Sequence, residues 1–273
     1  MRNIKLSVLL GLIIGITAMM SCGDGDGVVL FTIEDDKALG LQVSEQIASD
    51  TSFTILSETE YPEAYAYLQG MTNQILNSGE IVHKDDFAWK IHIIHDDVLN
   101  AFATPGGYIY VYTGLIKYLD KADDLAGVMG HELAHADRRH SVKAMQREYG
   151  IQLLLSIALG EDASQLAQIA AQIAGTGATL AFSRDAEAEA DDYSVEYLAN
   201  TEYACNGAYT FFKKLIEADA TGSTPTFFST HPDPKDRVED INAKADEVGC
   251  DKSAIDESSA SFDYVDFQNS LPE

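Results

Sequence analysis

The stretch that decides the fold and the chemistry of this chain is "VMGHELAHADRRHS", from Val128 to Ser141. It contains the run His-Glu-Leu-Ala-His at residues 131–135. On an α-helix each residue advances by about 100°, so His131 and His135 project from one face, one turn apart. Two imidazoles at this spacing can bind one Zn²⁺, and Glu132 beside them suits the general base that activates a zinc-bound water.

The same helical geometry separates His140 from the pair. It lies nine residues after His131, on the opposite side of a continuous helix that we predict from Ala122 to about Tyr149. We therefore predict a structural role for His140. The alternative to a metal site is a pair of core histidines with satisfied hydrogen bonds, because a catalytic zinc also needs a third protein ligand.

A second helix supplies candidates for that third ligand. In "SRDAEAEADDY", residues 183–193, Glu187 and Asp191 are four residues apart and share a face. One of them can bind the metal while the other accepts the ring N–H of a ligand histidine. Glu189 falls about 200° from Glu187 and is excluded from this role. A solvated acidic face is the alternative interpretation.

Two β-rich segments precede these helices. They are "FAWKIHIIHD" (87–96) and "NAFATPGGYIYVYTG" (100–114), and the second has the pattern of strand, Pro-Gly-Gly turn and strand. The strand after the turn alternates aromatic and aliphatic residues, namely Tyr108, Ile109, Tyr110, Val111 and Tyr112. Such a strand has one aromatic and one aliphatic face. Helical spacing dominates elsewhere, so we predict a mainly helical α+β fold.

The first 22 residues, "MRNIKLSVLLGLIIGITAMMSC", have the layout of a signal peptide, with a positive start and a short apolar run. Small Ser21 before Cys22 resembles a bacterial lipoprotein box. We therefore expect a signal peptide over 1–21, a lipidated Cys22 and a flexible tether over 22–33. An uncleaved N-terminal anchor is the alternative. Residues 34–250 are predicted to form the folded domain, followed by a loosely ordered acidic tail over 251–273.

The net charge and the cysteine content indicate which binding partners and which cellular compartment to expect. The net charge of −26 argues against nucleic acid, because phosphate binding requires clustered Lys and Arg. Cys205 and Cys250 form an even pair that an oxidising compartment would join, and free buried thiols are the alternative. Two apolar segments, 151–160 and 166–182, are too short or too interrupted to span a bilayer, so we expect packed or partner-facing helices.

Four stretches, taken in order, resemble the HtpX-like and CAAX-prenyl-protease-like zinc metalloendopeptidases. They are "NAFATPGGYIYVYTGL" (100–115), "GHELAHADRRHS" (130–141), "SRDAEAEADDYS" (183–194) and "THPDPKDR" (230–237). The resemblance covers about residues 38–245 and implies a zincin-like domain with one Zn²⁺ per chain. It implies His131, His135 and Glu187 as ligands, Glu132 as general base, and Asp191 as hydrogen-bond partner of a ligand.

The resemblance also implies that the strand Tyr108–Tyr112 is a sheet edge facing the active-site cleft, where it pairs with an extended substrate. The alternative is a core strand that is paired on both sides. Three interpretations remain for His231. With Arg237 it could stabilise the oxyanion of the reaction. It could instead occupy the open zinc position and hold the enzyme latent, or it could simply anchor its loop.

We therefore expect a zinc metalloendopeptidase that hydrolyses unfolded or damaged envelope proteins. It would be lipid-anchored in a bacterial cell envelope, favouring the outer membrane, with its catalytic domain outside the cytoplasm. The alternative is a latent or inactive zinc protein that binds envelope proteins as an adaptor. Membrane-embedded cleavage of prenylated proteins is disfavoured because the spans which that chemistry needs are missing from the sequence pattern.

Overall fold

The computed structural model describes residues 29–176, 182–220, 227–231 and 236–273. The predicted signal peptide, Cys22 and most of the predicted tether lie outside these residues. Among the described helices, none combines the length and the apolar composition needed to cross a membrane. In chain order the elements are α1 (Ile33–Ser49), α2 (Pro62–Leu76), β1 (Lys90–Ile94), β2 (Ala101–Thr104), β3 (Tyr108–Tyr112), α3 (Thr113–Tyr118), α4 (Ala122–Asp137), α5 (His140–Tyr149), α6 (Ile151–Ala158), α7 (Ala163–Thr176), α8 (Arg184–Leu198), α9 (Ala208–Ala220), α10 (Phe227–Thr230), α11 (Arg237–Val248) and α12 (Tyr264–Ser270).

The predicted fold class is confirmed, since helices surround a small mixed sheet with strand order β1-β3-β2. β1 runs parallel to β3, and β2 runs antiparallel to it across the turn at Gly106 and Gly107, which both have positive φ. The prediction that Tyr108–Tyr112 is an edge strand is wrong, because β3 is hydrogen-bonded on both sides. β2 occupies an edge instead, and it packs against α4.

The sheet separates two hydrophobic cores. The first core includes Leu68, Ile109 and Leu133, and the second core includes Leu39, Tyr110 and Ile173. As its alternating sequence predicts, β3 sends its aliphatic side chains into the first core and its tyrosines into the second. α6 and α7 pack against α1 and bury their apolar faces in the second core, so the described parts of the two apolar segments are packed helices.

α4 lies at the centre of the molecule, and every one of its residues is buried. Two of its glycines, Gly127 and Gly130, allow neighbouring segments to approach closely. A Cβ added at Gly127 would lie 2.0 Å from the backbone nitrogen of Ala208, at the start of α9. The helix ends at Asp137, and Arg139 adopts the left-handed conformation with φ 63°, so α5 begins in a new direction. The single helix predicted from Ala122 to Tyr149 is therefore two helices.

The C-terminal part is anchored to the domain at two points. Cys205 and Cys250 are joined by a disulfide. The tail, expected to be loosely ordered, contains α12, whose N-terminus carries a capping box formed by Asp263 and Asp266. Phe267 is fully buried in the first core, since the tail carries enough apolar surface to offset the entropy of ordering it.

Candidate active site

Two donor nitrogens come from α4. His131 and His135 lie one turn apart, as predicted, and their Nε2 atoms are 2.9 Å apart. Both side chains are fully buried. Two imidazoles that turn the same nitrogen toward one point are arranged to share a cation.

α8 brings a carboxylate to the same point. It can approach α4 closely because Gly130 has no side chain, and a Cβ there would lie 2.9 Å from Ser194 Oγ. As a result, Glu187 Oε1 lies 3.4 Å from His135 Nε2, and Oε2 lies 3.5 Å from His131 Nε2. The close contact between Gly130 and Ser194 thus brings α8 against α4, so that Glu187 faces His131 and His135.

His231, one residue after α10, supplies a fourth donor. Its Nδ1 lies 3.2 Å from His131 Nε2 and 3.0 Å from Glu187 Oε1. The four donor atoms all lie within 4.8 Å of one another. Bonds of about 2.0–2.1 Å to a tetrahedral metal would place the donors roughly 3.3 Å apart, close to the separations seen here. The donor atom of His231 therefore lies close to the other three, whereas the fourth position was expected to be open for water.

The charges at this point also suit a metal. Three buried carboxylates, those of Glu132, Glu187 and Asp191, surround one buried guanidinium, that of Arg237. Ionised, they leave two negative charges uncompensated, which a divalent cation would neutralise. Unpaired buried charge is strongly unfavourable, so a divalent cation among these donors would be stabilised.

Glu132 lies beside the donors but does not join them. Its carboxylate is fully buried, and neither oxygen has a hydrogen-bond partner among the described residues. Oε1 lies 3.4 Å from His231 Nε2, which also lacks a partner there. Burial raises the pKa of Glu132. A buried carboxylate beside the four donor atoms is placed to accept a proton.

Asp191 contacts one of the donor histidines. His131 Nδ1 lies 2.9 Å from Asp191 Oδ1, so it can donate its proton there and leave Nε2 free for a metal. The carboxylate is itself held by Arg237, whose Nε and Nη2 lie 2.5 Å and 2.6 Å from its two oxygens. Burial alone would raise the pKa of Asp191, but Arg237 and His131 outweigh it and lower the value.

Arg237 also touches the ligand carboxylate. Its Nη1 lies 2.7 Å from Glu187 Oε2, and its guanidinium carbon lies 3.9 Å from the centre of the Phe212 ring. Burial opposes ionisation of Glu187, but the charges of His231 and Arg237 hold its pKa well below the usual range. In this conformation the guanidinium bridges the carboxylates of Glu187 and Asp191, and the predicted oxyanion role of Arg237 stays a prediction.

His140 contacts the site, which contradicts its placement on the opposite side of a continuous helix. The left-handed residue Arg139 turns the chain back, so His140 Nδ1 lies 3.0 Å from His135 Nδ1. On its other side, His140 Nε2 lies 3.1 Å from Glu189 Oε2, and this contact lowers the pKa of Glu189 to about 2. No glycine or asparagine marks the turn at residue 139, so the sequence offered no signal for it.

The predicted substrate strand is buried along its whole length. The β3 tyrosines point into the second core, where the Tyr110 ring stacks on Phe102 with centroids 4.6 Å apart. The neighbouring strand β2 is nearer to the site. Ser141 Oγ, next to His140 in the chain, donates to Ala103 O (2.6 Å). Thr230, the residue before His231, has its Oγ1 3.4 Å from Oδ1 of Asn100, the residue before β2.

Comparison with known proteins gives a consistent result. The sequence pattern described as Peptidase family M48 matches residues 54–245. The mitochondrial metalloendopeptidase OMA1 of Schizosaccharomyces pombe is 28% identical over 212 residues, covering 74% of this chain and 61% of that protein. A putative beta-barrel assembly-enhancing protease of Vibrio cholerae is 31% identical, over 67% of this chain and 40% of its own length. The metalloprotease YcaL of Escherichia coli is 33% identical, over 56% of this chain and 60% of its own length.

Proposed function

We propose that this chain, which belongs to peptidase family M48, is a zinc-dependent metalloendopeptidase. The observation that carries the proposal is the cluster of four buried donors with the unpartnered carboxylate of Glu132 beside it. Relatives that are named metalloendopeptidase or metalloprotease support the reaction class. Imidazole and carboxylate donors in a tetrahedral arrangement favour zinc among the common metals.

In the proposed mechanism, His131, His135 and Glu187 would hold the zinc, and Asp191 keeps His131 in the tautomer that leaves Nε2 free. Bound zinc would supply a Lewis acid that polarises the peptide carbonyl and acidifies water. Glu132 accepts the proton of the attacking water and then transfers it to the leaving amine. Burial raises the pKa of Glu132, which makes its carboxylate a stronger base and supports this role.

We infer that the conformation described here is a latent one. A catalytic zinc keeps one position open, whereas His231 Nδ1 fills the fourth corner of the cluster. His231 would therefore have to leave before a substrate carbonyl could enter. The position of His231 supports the latent interpretation among the three that the sequence allowed.

β2 is the strand on which we place the substrate. Tyr112 N donates to Asn100 O, so the alternation of an antiparallel ladder turns the N–H and C=O of Ala101 away from β3. These groups are suited to pairing with an extended peptide. Ala101 is fully buried in the described conformation, and Thr230 contacts Asn100 at the end of β2. Displacement of the His231 segment would thus expose both the metal and the strand.

The natural substrates that we propose are unfolded or damaged proteins of a bacterial envelope. Relatives named beta-barrel assembly-enhancing protease support this class. We further propose that lipidation of Cys22 anchors the chain to a membrane, the outer one being favoured. Metabolic labelling with a lipid precursor tests the anchor, since label must be lost in a Cys22→Ala variant.

The decisive experiment compares purified wild type with Glu132→Gln for metal content and for cleavage of casein as an unfolded substrate. Both proteins should contain one zinc per chain, because Glu132 is not a ligand. Casein cleavage should fall by at least about a hundredfold in the variant, which lacks the general base. Retained cleavage would reject the mechanism. Zinc without cleavage in both wild type and His231→Ala would favour a binding adaptor instead.

A further inference from the structure

His140 lies in a fully buried position that the mechanism above does not use. Its Nδ1 is 3.0 Å from His135 Nδ1, and its Nε2 is 3.1 Å from Glu189 Oε2. The other oxygen of Glu189 lies 3.0 Å from Arg138 Nε. His135, His140, Glu189 and Arg138 thus form a chain of side chains that leads from the donor cluster to the surface.

The chemistry of these groups fixes where the protons lie. His135 turns Nε2 toward the donors, so as a ligand it must carry its proton on Nδ1. His140 Nδ1 must then accept that proton in the hydrogen bond, which puts the proton of His140 on Nε2. Nε2 donates to the carboxylate of Glu189, and Glu189 accepts from Arg138. One arrangement of protons satisfies every link.

The break between α4 and α5 is what brings His140 to this position. Arg139 holds the left-handed conformation there, and its guanidinium is tied to α1. Nε donates to Asp36 Oδ2 (2.7 Å), and Nη2 donates to Asp36 Oδ1 (3.0 Å) and to Phe31 O (2.7 Å). The ion pair between Arg139 and Asp36 of α1 thus stabilises a backbone conformation that is otherwise unfavourable.

We propose that His140 is a positioning residue that holds His135 in the tautomer and orientation needed to bind the metal. This inference rests on the proposed zinc site. The two α4 ligands are then oriented differently, His131 directly by the carboxylate of Asp191 and His135 through a neutral imidazole. Loss of such an outer partner typically weakens metal binding by about 10- to 100-fold.

The test is the zinc dissociation constant, measured by competition with a chelator, beside the melting temperature of the zinc-free protein. His140→Leu removes both hydrogen bonds and should weaken zinc binding by at least about tenfold. His140→Asn keeps an acceptor near the position of Nδ1 and should stay within about threefold of wild type. His140→Gln reaches the position of Nε2 instead, and so should weaken binding nearly as much as Leu.

Val142→Ala is the matched control, because it removes buried packing on the same helix without touching His135. It should lower the melting temperature and leave the zinc dissociation constant unchanged. Wild-type affinity in His140→Leu, or better binding by the Gln variant than by the Asn variant, would overturn the inference alone. A wild type that binds no zinc would overturn the proposed function as well.

Discussion

The four donors differ in how firmly their residues are held. His131, His135 and Glu187 sit on α4 and α8, two packed helices that lie in close contact. His231 follows α10, a helix of four residues, and is held mainly by its own contacts, such as ring stacking on Phe227 with centroids 4.2 Å apart. Removing His231 should therefore leave the other three donors in place, whereas removing any of those three should abolish metal binding.

The latent state predicts that His231→Ala raises peptidase activity. Freed from the competing imidazole, the fourth position would accept substrate. Activity should rise about tenfold for each 1.4 kcal/mol by which His231 favours the closed state. Casein cleavage measures the gain. The Glu132→Gln/His231→Ala double variant is the control and should stay inactive, and added imidazole should inhibit His231→Ala more than wild type. Lower activity in His231→Ala would mean that the imidazole takes part in catalysis.

Another buried histidine, His92, leads to a prediction of how the free energy of unfolding depends on pH. His92 stacks on Tyr110, and its Nε2 lacks a hydrogen-bond partner among the described residues. Burial, assisted by the charge of Lys90, lowers the pKa of His92 to about 4. Between pH 6.5 and 4 the unfolded chain binds a proton that the folded chain does not, so the free energy of unfolding falls as the pH is lowered through this window.

His92→Phe keeps the aromatic ring and removes this titration. From pH 7 to pH 4.5 the variant should lose about 2 kcal/mol less of its free energy of unfolding than wild type. Urea denaturation at the two pH values measures the difference. An equal loss in both proteins would show that His92 keeps an ordinary pKa in the folded state.

At the scale of elements, close approach to α4 is made possible by its glycines. Gly127 admits the backbone of Gly207 and Ala208 at the start of α9, and Gly130 admits Ser194 of α8. Ser194 Oγ in turn donates to Gly127 O (3.1 Å). The position of Glu187 relative to the histidines therefore depends on Gly127 and Gly130, which have no side chain to hold the neighbouring helices away from α4.

Gly127→Ala should destabilise the protein by about 3 kcal/mol or more, because its Cβ would meet rigid backbone atoms rather than a side chain that can move. Gly70→Ala on α2 is the matched control. Apart from the adjacent backbone of its own helix, no atom of the described residues lies within 4 Å of its added Cβ, so the change should stabilise the helix by about 0.5–1 kcal/mol. Thermal and urea unfolding compare the two. A Gly127→Ala protein as stable as wild type would contradict the packing described here.

The elements also show what a sequence can and cannot predict. The hairpin, α8 and the shared face of His131 and His135 depend on local patterns, and they were predicted. The break at Arg139 was not, since it depends on a distant ion pair with Asp36. β3 is central because β1 pairs with it in parallel, and parallel strands are not connected by a short turn that the sequence could reveal. Non-local contacts thus decided the parts that the sequence left open.

At the scale of the whole molecule, one covalent loop holds part of the site. The disulfide between Cys205 and Cys250 spans 45 residues and encloses α9, α10 and α11. His231 and Arg237 both lie within this loop, whereas His131 and Glu187 lie before it. The disulfide therefore constrains the part of the chain that carries His231 and Arg237, and not the part that carries His131 and Glu187.

The Cys205→Ser/Cys250→Ser variant should lose about 4 kcal/mol of its free energy of unfolding, the loop-closure value for a span of this length. Urea denaturation of the variant and of wild type, with and without reducing agent, measures the loss. Reducing agent should destabilise wild type alone. A loss below about 1 kcal/mol would mean that packing of α12 and α11 restrains this region without the bond.

The complete burial of α4 limits how a peptidase of this design can diversify. A helix without an exposed residue offers no position at which a substitution is free of neighbours, so random changes there are mostly lost with the fold. New preferences for peptide sequence must therefore arise on surrounding segments, such as β2 and the stretch that carries His231. The helix that carries the proposed zinc ligands would remain nearly constant among descendants of this chain while its periphery changes.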